Sequence, residues 1–175
     1  MTHALIVLLA LLIGVVAGLR SLTAPAVVAW AAFLGWLDFG PLGVSQTWAS
    51  WVANVATVII LTVLAIAELV TDKLPKTPPR TAPPSFGARL VMGGFAGAVI
   101  GAGPHWTFSA LGAGVVGAVL GTLGGYQIRK RLVAARGGQD LPIALLEDAV
   151  AILGAFAILA VTHNVLADFV ASAVK

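Results

Sequence analysis

The sequence predicts an all-α integral membrane protein with about six transmembrane segments, some of them short and hairpin-like. Of its 175 residues, 59% are hydrophobic and only 10% are charged, and the mean hydropathy is +1.02. A soluble domain has about a quarter charged residues, so this chain could not cover its own surface in water. In addition, nearly all lysines and arginines lie in alternate connections between apolar segments, which is typical of a multi-pass membrane protein.

A spanning helix needs about 20 apolar residues to cross a hydrocarbon core of about 30 Å. The predicted spans are Ala4–Leu19, Leu22–Leu37, Trp51–Val70, Ala88–Gly103, Phe108–Ile128 and Ile143–His163. The first, second and fourth reach only about 24 Å as helices. We therefore expect helices completed by polar flanks, or half-helices that turn back inside the protein. The chain is interpreted as one membrane domain, with a first half 1–75, a Pro-rich cytoplasmic connection 76–87 and a second half 88–175.

The first two segments have an alternative interpretation as one broken span, which would leave five spans and place the N-terminus inside. As one helix, residues 4–37 would be about 51 Å long. Pro25 interrupts the stretch, because proline removes a helical hydrogen bond. A hairpin of two segments is therefore favoured.

The distribution of basic residues predicts the sidedness of the connections. The odd-numbered connections carry Arg20, then Lys73, Lys76 and Arg80, then Arg129, Lys130, Arg131 and Arg136, and the even-numbered connections carry none. By the positive-inside rule the odd connections are cytoplasmic and both termini lie outside. The tryptophans Trp36, Trp48, Trp51 and Trp106 cluster on the base-free side, as an aromatic belt would. Three spans in each half would have opposite orientations, which is the arrangement of 3+3 inverted-repeat transporters.

The first candidate site is the turn Arg20-Ser21-Leu22-Thr23 between two short segments. Ser21 or Thr23 can cap the following helix, and the N-terminus of that helix with Arg20 would favour an anion. The alternative is an interfacial turn whose arginine only sets the topology.

The other candidate residues are acids at span ends. Glu68 and Asp72 are four residues apart and share a helix face near its C-terminus, where they oppose the helix dipole and need a basic partner. Arg20 or Arg89 could be that partner, in a functional site or in a structural ion pair. Glu147 and Asp148 open the last span. Since adjacent residues point about 100° apart, we expect one to face the bundle and the other to flank it.

Glycines recur at every fourth position in two spans, as Gly93, Gly97 and Gly101 and as Gly117, Gly121 and Gly125. Small residues let helix backbones approach closely in lipid. The pattern predicts that the fourth and fifth spans form a tight antiparallel pair. It also predicts a homo-oligomer, because so small a bundle would expose glycine faces.

Several function classes lack support in the sequence. There is no cysteine, and no phosphate-binding loop, nucleophile elbow or zinc-protease motif occurs. We expect no catalytic residue, no metal, no cofactor and no enzymatic activity. The net charge of +3 is better explained by membrane lipids than by nucleic acid, since the bases lie at span ends.

Three motifs together resemble the bacterial domain-of-unknown-function family 4126. They are Gly18-Leu19-Arg20 before a proline-bearing helix, Glu68-x-x-x-Asp72-Lys73-Leu74-Pro75, and Pro142 followed by Leu146-Glu147-Asp148. The resemblance covers most of the chain, apart from the Pro-rich connection and Tyr126–Leu132. It implies a bacterial inner-membrane protein with no established activity.

The function predicted from these patterns is a small transporter or channel-like protein with a cytoplasm-facing polar cavity for an ion or small charged solute. The candidate binding residues are Arg20, Ser21, Thr23, Glu68, Asp72, Arg89, Glu147 and Asp148. The alternatives are a non-transporting scaffold or assembly protein with its charges locked in ion pairs, and a lipid-headgroup-binding or lipid-modifying protein.

Overall fold

A computed structural model describes residues 2–39, 42–73 and 80–173, and within them it contains six α-helices and no strand. The helices are α1 (Thr2–Leu19), α2 (Thr23–Phe33), α3 (Val55–Thr71), α4 (Pro83–Ile100), α5 (Thr107–Ala135) and α6 (Asp140–Ala173). Two short 3₁₀ helices, Val44–Gln46 and Ser50–Ala53, lie between α2 and α3. The predicted all-α membrane fold is confirmed, and each predicted segment corresponds to one helix.

Three of these helices are long and apolar enough to cross a membrane. They are α1, α5 and the Asp140–Ser172 part of α6. The helices α2 and α3 are apolar but shorter, with 11 and 17 residues. At 1.5 Å per residue, α2 extends only about 16 Å. The prediction of a short segment is therefore confirmed for the second span, whereas the first forms α1, whose 18 residues are long enough to cross a membrane.

Several helix boundaries differ from the predicted spans. Residues Trp51–Ala53 belong to a 3₁₀ helix, and α3 starts after Asn54, whose side chain accepts a hydrogen bond from the Ala56 amide at 2.9 Å. The helices α5 and α6 extend well beyond the apolar stretches, because charged residues also favour helix and hydropathy marks only the lipid-embedded part. α4 begins at Pro83, inside the predicted Pro-rich connection, since proline suits a first helical turn. Residues 76–79 of that connection lie outside the described residues, as do residues 74–75 before it.

The first two helices form a hairpin. The His3 ring in α1 lies 4.8 Å from the Trp106 ring, which lies 5.8 Å from Phe169 at the end of α6. Trp36, just after α2, accepts a hydrogen bond at its carbonyl oxygen from His163 Nδ1 at 3.0 Å. The start of α1 and the end of α2 thus lie at the same end of the bundle, so the hairpin prediction is correct. The connections after α1, α3 and α5, which carry the basic residues, lie at the other end.

The helix α5 lies between α1 and α4, and glycines set its distance from both. A Cβ added at Gly97 in α4 would overlap the backbone of Ala110, and one added at Gly93 would lie 2.9 Å from the carbonyl oxygen of Gly114. The predicted α4–α5 pair is therefore confirmed. Gly117 and Gly121, however, pack against the α1 backbone rather than α4. Since both glycine ridges are used within one chain, they lend no support to the homo-oligomer, which stays a prediction.

The outer surface of the bundle is apolar. Several large side chains on it are more than half exposed: Ile59 (58%), Val63 (59%), Val91 (65%), Leu153 (70%) and Phe108 (88%). They come from α3, α4, α5 and α6, so the apolar surface surrounds much of the bundle. Such a surface suits a hydrocarbon environment, where exposing apolar groups has no cost.

The two halves of the chain differ in helix length. An inverted repeat would relate α2 to α5 and α3 to α6. These pairs have 11 and 29 residues, and 17 and 34 residues. The inverted repeat accordingly stays a prediction.

Candidate functional site: a charged network at one end of the bundle

Five cations and five carboxylates come together at the end of the bundle that holds the basic connections. We call this set the charged network. The cations are Arg20, Lys73, Arg80, Arg89 and Arg129, and the carboxylates are Glu68, Asp72, Asp140, Glu147 and Asp148. The formal charges cancel, so the network has no net charge of its own. All eight predicted site residues lie in it or directly beside it.

Arg20 lies at the centre of the network, at the break between α1 and α2. Its side chain is fully buried and forms an ion pair with Asp72 at the end of α3. Its Nε lies 2.7 Å from Asp148 Oδ1 in α6, and its second terminal nitrogen lies 4.0 Å from Glu147. A buried guanidinium is costly unless it is paired. Arg20 therefore connects the α1–α2 hairpin to α3 and α6 at once.

Glu68 occupies the N-terminus of α2. Its carboxylate accepts hydrogen bonds from the Ser21 amide (2.7 Å), the Ser21 hydroxyl (2.8 Å) and the Leu22 amide (2.8 Å). The N-cap residue itself, Leu22, provides no side-chain cap. The prediction that Ser21 or Thr23 caps this helix is wrong, because a carboxylate from α3 satisfies the free amides and the positive end of the dipole. The predicted anion-binding position is thus filled by the chain itself.

Arg89 binds the C-terminal end of α1, on the other side of the break between α1 and α2. Its guanidinium donates to the carbonyl oxygens of Gly18 (3.0 Å) and Leu19 (2.8 Å), the last residues of α1. Thr122 in α5 also donates to Gly18, at 3.3 Å. A cation thus meets the C-terminus of α1 and a carboxylate meets the N-terminus of α2, as the two helix dipoles require. Unpaired backbone groups would be expensive at a buried break, and these side chains remove that cost.

Glu147 and Asp148 both face the network, so the prediction that one of them flanks the bundle is wrong. Asp148 lies beside Arg20 and within 2.6 Å of Lys73 Nζ. Glu147 accepts hydrogen bonds from Arg80 at 2.9 Å and from Arg129 at 3.2 Å. The two carboxylates point apart, as adjacent helical residues must. Each carboxylate contacts cations, because the start of α6 lies between two groups of basic residues.

Four members of the network were not among the predicted site residues: Lys73, Arg80, Arg129 and Asp140. Arg129 donates to Asp140 at 2.7 and 2.9 Å, across the turn that joins α5 to α6. In the sequence, Lys73, Arg80 and Arg129 can be explained as topology signals at span ends just as well as site residues. A usable signal was the presence of seven acids against ten bases, since acids at span ends require nearby cations.

The centre of the network is buried, whereas the sequence predicted a polar cavity that faces the cytoplasm. The exposed fraction of the side chain is 0% for Arg20, 3% for Arg89 and 9% for both Glu68 and Glu147. Among the described residues, three buried atoms have neither a hydrogen bond nor a close ion pair: one terminal nitrogen of Arg20, Arg89 Nε and Thr23 Oγ1. Arg20 Nε and Asp148 Oδ1 are also outside any hydrogen bond of good geometry, but they lie 2.7 Å apart in their ion pair. Most of these atoms are donors, so the unused hydrogen-bonding capacity favours an acceptor. Among the described residues, no group of histidines and acids is arranged to hold a metal ion.

Comparison of the chain with family models, with curated proteins and with solved structures gives no match. The resemblance to domain-of-unknown-function family 4126 therefore rests on the three sequence motifs alone.

Proposed function

We propose that the chain is a small transporter or channel-like membrane protein and that its charged network binds a small charged solute, specifically an anion. The observation that carries the proposal is a set of three buried groups that have no hydrogen-bond partner among the described residues: one terminal nitrogen of Arg20, Arg89 Nε and the Thr23 hydroxyl. A buried donor that lacks a partner is costly. An anion would accept from guanidinium groups at this position more readily than a cation would bind there.

The position of Glu68 suggests how such an anion enters. Its carboxylate is held by the amides at the start of α2, where a free anion would otherwise bind. An anion that replaces it leaves the network with one excess negative charge. Protonation of one carboxylate restores neutrality. The proposal therefore includes uptake of about one proton with each anion.

Glu68→Gln tests this coupling. In proteoliposomes offered chloride, nitrate, phosphate and acetate in turn, anion flux through the wild type should rise as pH falls, by up to about tenfold per pH unit for one coupled proton. The variant carries a permanently neutral side chain, so its flux should not change with pH over the same range. Asp168→Asn is the matched control, because Asp168 is an exposed residue of α6 beyond the network. Its flux should keep the wild-type pH dependence.

A scaffold is the second candidate function, and the equal number of cations and carboxylates favours it. A fully paired network stabilises one arrangement of helices without moving any solute. In that case no anion of the panel crosses the membrane, and Glu68→Gln lowers stability while flux stays at the background of empty liposomes. That outcome would replace the transport proposal.

We also propose that the protein resides in the bacterial inner membrane with its basic connections in the cytoplasm. The chain has no cysteine, so a maleimide would label only a cysteine introduced by substitution. Gln46 lies in the α2–α3 connection and Gln139 in the α5–α6 connection, and both are exposed. In intact cells an impermeant maleimide should label Gln46→Cys only, whereas Gln139→Cys should react after the membrane is opened. The reverse pattern would invert the orientation.

A further inference from the structure

A groove of about 160 Å³ runs between the last turns of α5 and the first turns of α6. Its apolar wall consists of Leu19, Ile128, Leu132, Ile143, Leu146 and Val150. Arg129 and Glu147 are the only charged residues that line it. Ile128 is 60% exposed and Leu146 is 55% exposed, so the groove opens on the outer surface of the bundle.

The absence of a side chain at Gly125 helps to form this groove. A Cβ at Gly125 would overlap the Leu19 side chain and would lie 3.2 Å from the Arg80 guanidinium and 3.5 Å from Glu147 Oε1. The inner wall therefore borders the Arg80–Glu147 ion pair. The helix α6 packs mainly on α1 and α2 and only slightly on α5. The first turns of α6 and the end of α5 are therefore apart and form two walls of the groove.

Exposed positive charge lies in the same stretch of chain as the groove-lining residues at the end of α5. Lys130, Arg131 and Arg136 are exposed and form no ion pair with other residues that the structure describes. Arg136 follows Leu132 by four residues and Arg129 by seven, so it continues the face of α5 that lines the groove. Arg131 does not lie on that face. Arg129 uses three N–H groups on Asp140 and Glu147, and a guanidinium has five.

We propose that this groove binds an anionic phospholipid, with one acyl chain between α5 and α6 and the phosphate at Arg129 and Arg136. An open apolar groove on a membrane-exposed surface suits an acyl chain. Arginine hydrogen-bonds phosphate strongly, and two N–H groups of Arg129 are not used by its hydrogen bonds to Asp140 and Glu147. Arg129 and Arg136 would favour an anionic headgroup over a zwitterionic one. The site shares Arg129 and Glu147 with the charged network, but it does not require that the network bind a solute.

Native mass spectrometry of the detergent-purified protein tests the site, with phosphatidylglycerol, phosphatidylcholine and glycerol 3-phosphate as probes. The wild type should retain phosphatidylglycerol about fivefold more than phosphatidylcholine, since one basic residue near a headgroup gives about that factor. Arg136→Gln should remove most of this preference. Arg131→Gln makes the same change of charge off the groove face and should retain it. Leu146→Trp, at the exposed rim, should reduce retention of both phospholipids.

Three results would overturn the proposal. Equal losses in Arg136→Gln and Arg131→Gln would indicate diffuse attraction to a basic surface rather than a groove site. Glycerol 3-phosphate binding as tightly as phosphatidylglycerol would indicate a free-phosphate site without an acyl chain. A dimer that becomes monomeric in Leu146→Trp, with unchanged lipid retention, would assign the groove to a contact between two copies of the chain.

Discussion

Replacing Arg20 by glutamine should lower the free energy of unfolding by about 3–5 kcal/mol, the range observed when one partner of a buried ion pair is removed. Arg20 is fully buried and contacts Asp72 and Asp148 from two different helices. Without it these carboxylates lose their shared cation and remain inside the bundle. Unfolding in mixed micelles, followed by titration with a denaturing detergent, measures the difference.

Arg131→Gln is the matched control, because it removes an arginine that is exposed and unpaired among the described residues. Its stability should equal that of the wild type. Adding Asp148→Asn to Arg20→Gln should restore part of the loss, since one uncompensated carboxylate is then neutral. If Arg20→Gln is as stable as Arg131→Gln, the charges of the network are solvated and the buried arrangement is wrong.

The residues that form the network could be predicted because charge is rare in this sequence. Only 10% of the residues are charged, so an acid such as Glu68 near the end of an apolar span requires a cation or water. The order of helices followed from hydropathy for the same reason. The basic connections also identified the end of the bundle at which Arg20 and Glu147 would meet.

The pairing within the network could not be predicted, because it depends on helix rotation. Glu68 was expected to pair with Arg20 or Arg89, and Arg89 does lie 4.0 Å from its carboxylate. Its hydrogen bonds, however, come from the amides of Ser21 and Leu22, which the sequence did not indicate. Asp72, one turn later, pairs with Arg20 instead. Several cations compete for each acid at similar depth, and sequence spacing does not rank them. The position and rotation of α6 decide the ranking, since Glu147 and Asp148 point about 100° apart on that helix.

The partners of the glycine ridges also depend on information that the sequence lacks. The spacing of four shows which face of α5 has small residues, but it does not show which helix packs there. Gly114, for example, contacts both neighbours, α1 at Gly14 and α4 at Gly93. The helices α4 and α5 are consecutive, which favoured that pair in the prediction. Gly117 faces α1 because α5 must contact two helices at once and its smooth surface extends around the helix.

The second large effect is expected for Gly117→Val, which should destabilise the bundle by about 3 kcal/mol, the upper end of the range for over-packed cores. A Cβ at Gly117 would overlap the carbonyl oxygen of Leu11 in the α1 backbone. Backbone cannot rotate away as a side chain can, so α1 and α5 must separate. Unfolding in mixed micelles measures this loss as well.

Gly112→Val is the control for this substitution. Gly112 lies in the same helix, and a Cβ there has no atom within 4 Å, so the exposed valine should not destabilise the bundle. Separation of α1 from α5 would also move Gly18 away from Thr122, whose hydroxyl donates to its carbonyl oxygen at 3.3 Å. Because Arg89 donates to the same oxygen, Gly117→Val should disturb the network from a distance. The stability losses of Gly117→Val and Arg20→Gln should therefore not be additive in the double variant. If the loss in the double variant equals the sum of the two single losses, the glycine contact and the charged network are independent.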